Sequence, residues 1–366
     1  MFNTKVRNIE FELTNRCNAG CPLCSRIGKY PGELSETVYN SKWRDVSVDV
    51  HHHVLDSLDH SVVDAIDYGG TFGDPLMHPK VLQLLKYGSG LYQEVQTNAS
   101  LQTQKFWSEA AKINNLRVWF HLDGLNDTNH LYRRHTEWNK IERNAKTFLD
   151  AGGKGSWVFI VFRHNEHQVD EAREIAHKWG MDEFIVKKTS RGFEKGNDSQ
   201  TVEILNKQGI KEKFTYQTPL DEEYKVDHLN SKLEEKPIDC YSMLRGTYYV
   251  TCENELYSCC STGKFGYMNK YVEKSKYNLK TEMHGDMSFS PLIDPVNNTF
   301  DTIVSNYNSV KQKIFKRWAN REYKICSNKC GTNLTSQKVH EVFKGGIGTK
   351  RPTGWNGPHN IRNKIL

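Results

Sequence analysis

The chain has 366 residues, 26% of them charged and 37% hydrophobic, with a formal charge of +6. That length suffices for a large core and two domains, while no run approaches the roughly 20 apolar residues of a membrane span. The modest positive charge permits an anionic partner without arguing for nucleic acid. The start, Met1-Phe2-Asn3-Thr4-Lys5-Val6-Arg7, lacks the apolar core of a secretory signal, so a cytoplasmic location is expected.

In chain order, strand-like runs fall at Ile9–Thr14, Ala65–Tyr68, Glu94–Thr97, Arg117–Leu122, Trp157–Phe162 and Phe184–Lys188, with helical segments between them. The clearest helix carries Trp138, Ile141, Ala145, Phe148 and Leu149 on one stripe and stops at Gly152-Gly153. The next carries Val169, Ala172, Ile175, Ala176 and Trp179 and ends at Gly180, with Asn165 as its expected N-cap and Gln168 as capping partner. Six strand–helix alternations predict a parallel α/β sheet with right-handed crossovers and its chemistry at the C-terminal strand ends. Residues 191–238 are polar and read as a solvated connector with room for one short helix. Thr247–Tyr257 reads as a β-hairpin around a polar turn. A helix-like stretch, Val310, Ile314, Phe315 and Trp318, precedes Cys326, and residues 336–366 read as an irregular basic tail.

The nine cysteines are segregated. Cys17, Cys21 and Cys24 follow the first strand; Cys240, Cys252, Cys259, Cys260, Cys326 and Cys330 form a second group; none lies between. Disulfides do not suit a cytosolic protein, so two metal sites are the better reading. An iron–sulfur cubane normally takes four thiolates. Three local thiolates would hold such a cluster with one iron left open. The alternative is structural zinc, which wants a closed set of four ligands.

The C-x3-C-x2-C triplet inside Glu12-Leu13-Thr14-Asn15-Arg16-Cys17-Asn18 resembles that of the radical S-adenosylmethionine (radical SAM) enzymes. Further segments agree in order. Gly69-Gly70-Thr71-Phe72-Gly73-Asp74-Pro75 is similar to the family's Gly-Gly-Glu or Gly-Glu-Pro segment, and Gln96-Thr97-Asn98 to its Thr-Asn-Gly. His121-Leu122-Asp123-Gly124 is similar to its Ser-x-Asp-Gly, and Tyr132-Arg133 to its Tyr-Arg. The resemblance implies a partial (β/α)6 TIM-like barrel over residues 5–190. It implies a [4Fe–4S] cluster on Cys17, Cys21 and Cys24 whose fourth iron is chelated by SAM. An electron from a flavodoxin- or ferredoxin-type donor then yields a 5′-deoxyadenosyl radical that abstracts hydrogen from substrate. It further implies that Gly73 and Asp74 receive the SAM ammonium, that Arg133 faces its carboxylate, and that Asp123 or Asn98, beside Thr97, bonds the ribose or amino-acid moiety. The departures are Asp74 for Glu, His121 for Ser, Ala99 for Gly, and Leu23 where an aromatic is common.

The second cysteine group resembles the C-terminal auxiliary-cluster domain of SPASM/Twitch radical SAM enzymes, placed here at 239–335. That implies a second [4Fe–4S] cluster on Cys240, Cys259, Cys326 and Cys330, with Cys260 able to replace Cys259 because adjacent strand residues face opposite ways. Cys252 is left as a spare hairpin residue, and four-thiolate zinc stands as the alternative. The implied substrate is a peptide or protein to be oxidised or cross-linked. A small polar metabolite, a sugar or nucleotide, is the alternative; a non-catalytic zinc or iron–sulfur module is the further one. A first strand beginning near Ile9 leaves no stretch for an N-terminal peptide-binding domain, which weakens the peptide expectation. Asp67, Glu94 and His121 are candidate bases on strands. His51-His52-His53 reads as surface histidines at a helix start, and the basic run Lys311–Lys324 as a solvated helix face.

Overall fold

A computed structural model describes residues 5–24, 26, 43–189, 198–205, 210–225, 238, 240, 242, 246–263, 292–306 and 338–342. The first strand, β1 (Asn8–Phe11), begins an alternation that decides the fold. Ile9, Phe11 and Leu13 enter the main apolar core, while Glu10 and Glu12 take the other face. The same two-sided pattern continues in β2 (Ala65–Tyr68), β3 (Gln93–Thr97), β4 (Leu116–His121), β5 (Lys154–Ile160) and β6 (Glu183–Lys187). Ile66, Tyr68, Val95, Val118, Phe120, Trp157, Phe159, Phe184 and Val186 join the main core. Their sequence neighbours therefore line the opposite, inner face. There the apolar members Trp119, Val158 and Ile185 form a small cluster of their own.

The outer face is covered by α1 (Val48–Asp56), α2 (Val81–Tyr87) and α3 (Gln104–Ala110) and, after the single turn α4 (Asn129–Tyr132), whose Tyr132 packs with the cysteine loop instead, by α5 (Trp138–Asp150) and α6 (Val169–Lys178). Helix α5 buries Ile141, Asn144, Ala145 and Phe148, a spacing of three and four that puts them on one stripe. It stops at Gly152, whose φ of +91° suits glycine, and Gly153 N–H bonds back to Phe148 O at 3.0 Å. The helix predicted after Asn165 begins with a 3-10 turn at Glu166–Gln168, and Asn165 does not cap it with its side chain. Its Nδ2 donates instead to Asp123 O and Ile160 O, at 2.9 and 3.0 Å. Its Oδ1, the atom an N-cap offers to helix N–H groups, accepts instead from Phe162 N at 2.7 Å.

The sheet order is β10-β9-β1-β2-β3-β4-β5-β6-β11, with β1 to β6 all parallel. The alternation implied the parallel sheet, and the open, partial TIM-like barrel it forms is the one the resemblance implied. Two elements come from the C-terminal half. The hairpin of β9 (Thr247–Val250) and β10 (Leu256–Tyr257) forms as predicted, and β9 also pairs in parallel with β1, so the hairpin extends the barrel sheet. Strand β11 (Lys338–Val342) lies in the stretch read as irregular tail and pairs antiparallel with β6. The polar connector holds an antiparallel hairpin, β7 (Ser199–Leu205) with β8 (Lys211–Gln217), and a 3-10 turn at Glu222–Tyr224 rather than an α-helix. Among the described residues no helix is long and apolar enough to cross a membrane.

The histidine run departs from expectation. His51 is fully buried on α1 and its Nε2 lies 2.9 Å from the Tyr68 hydroxyl. Burial, with His52 and His78 nearby, lowers its pKa to about 3, so it stays neutral. His52 stacks on Tyr87 and His53 Nε2 accepts from Phe300 N. Helix amphipathicity places the run at a core boundary, so a surface reading fails. The stretch 310–318, the basic run, and Cys326 and Cys330 lie outside the described residues.

Candidate functional site

Cys17, Cys21 and Cys24 occupy the loop after β1, at the C-terminal edge of the parallel sheet. They pack in one apolar pocket with Ala19, Leu23, Tyr132, Ile160 and Phe162. Val202 and Ile204 of β7 and Tyr216 of β8 complete it, so the connector hairpin roofs the cysteine loop. The signal for this was present in the alternation of Val202 and Ile204 with exposed Thr201 and Glu203. Arg134, which follows α4 and accepts from Gly20 N of the cysteine loop through its carbonyl, pairs with Glu212 of the hairpin at 2.7 Å.

Burial raises the Cys17 thiol, and Asp74 adds to this while Arg26 opposes it. Cys21 is raised by burial, with Arg133 pulling the other way. Backbone N–H groups of Ala19 and Arg26 point at Cys17 Sγ and Cys24 Sγ, at 3.4 and 3.5 Å. Among the described residues no three His, Cys, Asp or Glu side chains converge at metal-binding distances; the thiols share a pocket rather than a point. The donor chemistry nonetheless fits iron. Three soft thiols sit in a dry pocket, flanked by N–H donors and by arginines that offset thiolate charge.

Two hydrogen-bonded networks flank the thiols and contain every SAM-site residue expected from sequence except Gly73, whose N–H is held by Glu12. In the first, Asp74 accepts from Thr97 Oγ1 at 2.9 Å, Asn98 N at 2.9 Å, Asn98 Nδ2 at 2.8 Å and Leu76 N at 3.1 Å. Burial raises Asp74 to about 6, against the pull of these donors. Asn98 Nδ2 also bonds Asn18 Oδ1 at 2.8 Å and lies 4.0 Å from Cys17 Sγ. Asp74 therefore clamps the loops after β2 and β3 to the cysteine loop, and both of its oxygens are engaged. In the second, Arg133 Nε donates to Asp123 Oδ2 at 2.6 Å and Arg133 Nη1 reaches Cys21 Sγ at 3.9 Å. Asp123 is fully buried, and its Oδ1 accepts from Ile160 N at 2.7 Å. Burial raises the Asp123 carboxyl, and Arg133 opposes that rise.

Close backbone approach explains the glycines of the Gly69–Asp74 loop. A Cβ on Gly73 would lie 1.8 Å from Thr14 O, and one on Gly70 would lie 1.8 Å from Gly73 O. The loop is pinned further by Asp74 N–H to Arg16 O at 2.8 Å. Sequence reasoning missed its main anchor. Glu12 Oε1 accepts from Phe72 N at 2.6 Å and Gly73 N at 3.2 Å, and Glu12 Oε2 accepts from the Tyr249 hydroxyl on β9. Burial raises Glu12 to about 7, against these bonds. Ala99 adopts φ +60°, which accounts for the glycine usual at that position of the resembled motif. Asn144 of α5 holds this turn by donating to Ala99 O and Leu101 O, each at 2.9 Å.

The inner face carries the three candidate bases. Gln96 Nε2 donates to both oxygens of Asp67, at 3.1 and 2.9 Å, and Gln96 Oε1 lies 3.0 Å from His121 Nε2. Glu94 is buried and accepts from the Tyr92 hydroxyl at 3.0 Å. In the second cysteine group, Cys240 packs in the main core and Cys252 is buried in the β9–β10 turn. Cys259 contacts Thr262, whereas Cys260 is directed at Glu10 on the inner face.

The Radical SAM superfamily model matches residues 11–177. No curated protein matches the sequence. Among solved structures, SuiB of Streptococcus suis bound to precursor peptide SuiA is similar at a TM-score of 0.50 and 14% identity, over 80% of this chain and 66% of that one. SuiB bound to S-adenosylmethionine gives 0.47 and 15%, over 79% and 67%. BtrN in complex with AdoMet and 2-DOIA gives 0.45 and 11%, over 90% and 93%. The chain thus spans about two thirds of the length of SuiB, and at these identities the likeness is one of fold. Residues 11–177 are a radical SAM superfamily domain, an enzyme domain of the kind that works with a [4Fe–4S] cluster and S-adenosylmethionine.

Proposed function

We propose that this protein is a radical SAM enzyme of the SPASM/Twitch type that abstracts hydrogen from a peptide or protein substrate. The observation that carries the radical SAM reading is the convergence of Asp74–Asn98 on Cys17 and of Asp123–Arg133 on Cys21. Cys17, Cys21 and Cys24 would hold the first cluster. When bound, cluster and SAM supply reductive cleavage of the sulfonium bond and hydrogen abstraction from substrate.

The chain's own residues do the rest. Arg133, held by Asp123, offers its remaining N–H groups to the SAM carboxylate. The Gly69–Asp74 loop, held by Glu12 and Asp74, offers backbone carbonyls to the ammonium. Asn98 orients the cysteine loop through Asn18. Hairpin β7–β8 keeps water from the thiols. A second cluster on Cys240, Cys259, Cys326 and Cys330 belongs to the same reading, with Cys260 directed elsewhere, at Glu10. A peptide substrate is in keeping with the fold shared with SuiB, which was solved with its precursor peptide.

The test is anaerobic reconstitution of the full chain. About eight irons per chain are expected for two cubanes, and about four once Cys17, Cys21 and Cys24 are replaced by Ala. Dithionite with SAM should release 5′-deoxyadenosine, and Cys21→Ala should abolish it. Iron-loaded protein that never cleaves SAM would sink the reading, as would zinc without the brown chromophore near ~400 nm. A deuterated substrate passing label to 5′-deoxyadenosine identifies the hydrogen taken.

A further inference from the structure

Glu10 and Asp67 are register partners on β1 and β2, and both project to the inner face. Their carboxylates converge. A Cβ built on Gly69, which opens the loop leading to Asp74, would lie 3.5 Å from Glu10 Oε1 and 3.5 Å from Asp67 Oδ1. Any side chain at position 69 would fill that point; glycine leaves it open. Asp67 is fixed there by the Gln96 amide, which bonds both of its oxygens and is itself held against His121.

Glu10 differs from the other acids of the site. Its Oε2 is buried and has no hydrogen-bond partner, whereas Glu12, Asp74 and Asp123 have both oxygens engaged. The groups facing Glu10 are Asp67 on β2, Glu12 on its own strand, Tyr249 on β9 and Cys260 after β10. None is cationic, and among the described residues no lysine or arginine forms an ion pair with Glu10. A buried carboxylate oxygen without a partner costs free energy until a donor reaches it. Glu10 Oε1 and Asp67 Oδ1 border the open point, and the unpartnered Oε2 belongs to the same Glu10 carboxyl; two acidic groups at one point suit a donor that carries positive charge. In the empty site burial and the neighbouring Asp67 keep a proton on Glu10 to about pH 8; a cation at this point takes that proton's place, whereas a neutral hydroxyl does not.

We propose that Glu10 and Asp67, beside Gly69 on the inner face, form a subsite for a cationic group of the substrate, an ammonium or a guanidinium. This rests on the radical SAM reading, and it names the substrate class as an amine- or guanidine-bearing molecule. The group belongs to a lysine or arginine side chain of a peptide or to a small amine such as an amino sugar. Gln96 holds Asp67 in the receiving orientation.

The test uses the full chain, without reductant, and two matched pairs of probes followed by ligand-observed NMR. Nα-acetyl-lysine methylamide is compared with Nα-acetyl-norleucine methylamide, and glucosamine with glucose. In at least one pair the cationic member should bind about tenfold tighter, as a charge-assisted contact predicts. Glu10→Gln should reduce that preference to within about twofold, and Asp67→Asn should reduce it independently. Circular dichroism checks that both variants fold. The pair that responds identifies the source of the amine. Equal or undetectable binding of both members in both pairs overturns the proposal, and so does a preference that survives both substitutions. Because no SAM cleavage is needed, this result stands apart from the 5′-deoxyadenosine assay, and either can fail alone.

Discussion

The Tyr249 hydroxyl donates to Glu12, so a strand from the C-terminal half holds the residue that anchors the Gly69–Asp74 loop. Glu12→Ala would leave two buried N–H groups without an acceptor and the buried Tyr249 phenol with only Thr71 Oγ1, at 3.3 Å. It should cost roughly 2–4 kcal/mol by denaturant unfolding, while Tyr249→Phe should cost about 1–2 kcal/mol. Glu12→Gln keeps an acceptor for the loop and should be the mildest of the three.

The same burial makes stability depend on pH. Folded Glu12 holds its proton to about pH 7 and Glu10 to about pH 8, against an ordinary value of 4.5, because desolvation disfavours their charged forms. The folded state therefore binds more protons between these limits. The stability involved is full below about pH 4.5 and is lost as pH rises through 7 to 8. In the metal-free chain Tm should fall from pH 5 to pH 8, and Glu12→Gln should flatten the curve. A Tm that rises over this interval contradicts the assignment.

Ala99 offers a gain. Its φ of +60° costs an L-residue about 1–2 kcal/mol, and the methyl returns at most about 0.8 kcal/mol by burial. Ala99→Gly should leave stability unchanged or raise it by up to about 1 kcal/mol, read as the shift in the urea midpoint.

Arg133 carries a heavier load. Arg133→Met strands the fully buried Asp123 charge and should cost about 3–5 kcal/mol. Arg133→Met combined with Asp123→Asn should recover much of that stability without recovering SAM binding, measured by equilibrium dialysis. Recovery of both would remove Arg133 from the SAM site.

The six parallel strands were legible because each carries an apolar outer face, opposed in most of them by polar inner residues, and the strand-end motifs lie where the chain leaves the sheet. Ala65–Tyr68 was placed to the residue, and the other five strands to within a few positions. What sequence did not reveal are contacts between distant segments. Glu12 looked like an ordinary polar strand residue, since nothing local indicates that Tyr249, 237 positions away, meets it. Hairpin β7–β8 was hidden by its charged outer face, which dominates the composition of the connector. His51 was misread because three consecutive histidines look polar as a group, although a helix sends each one in a different direction.

Strands β9 and β11 border the barrel sheet on opposite sides, against β1 and β6. During synthesis the ribosome delivers all six barrel strands before either bordering strand exists. Until then β1 and β6 both present open backbone to other chains. A gene truncated near residue 190 should consequently yield aggregates, and co-expressing the missing C-terminal half as a separate polypeptide should restore part of the solubility, since the same backbone hydrogen bonds form in trans at the added cost of association.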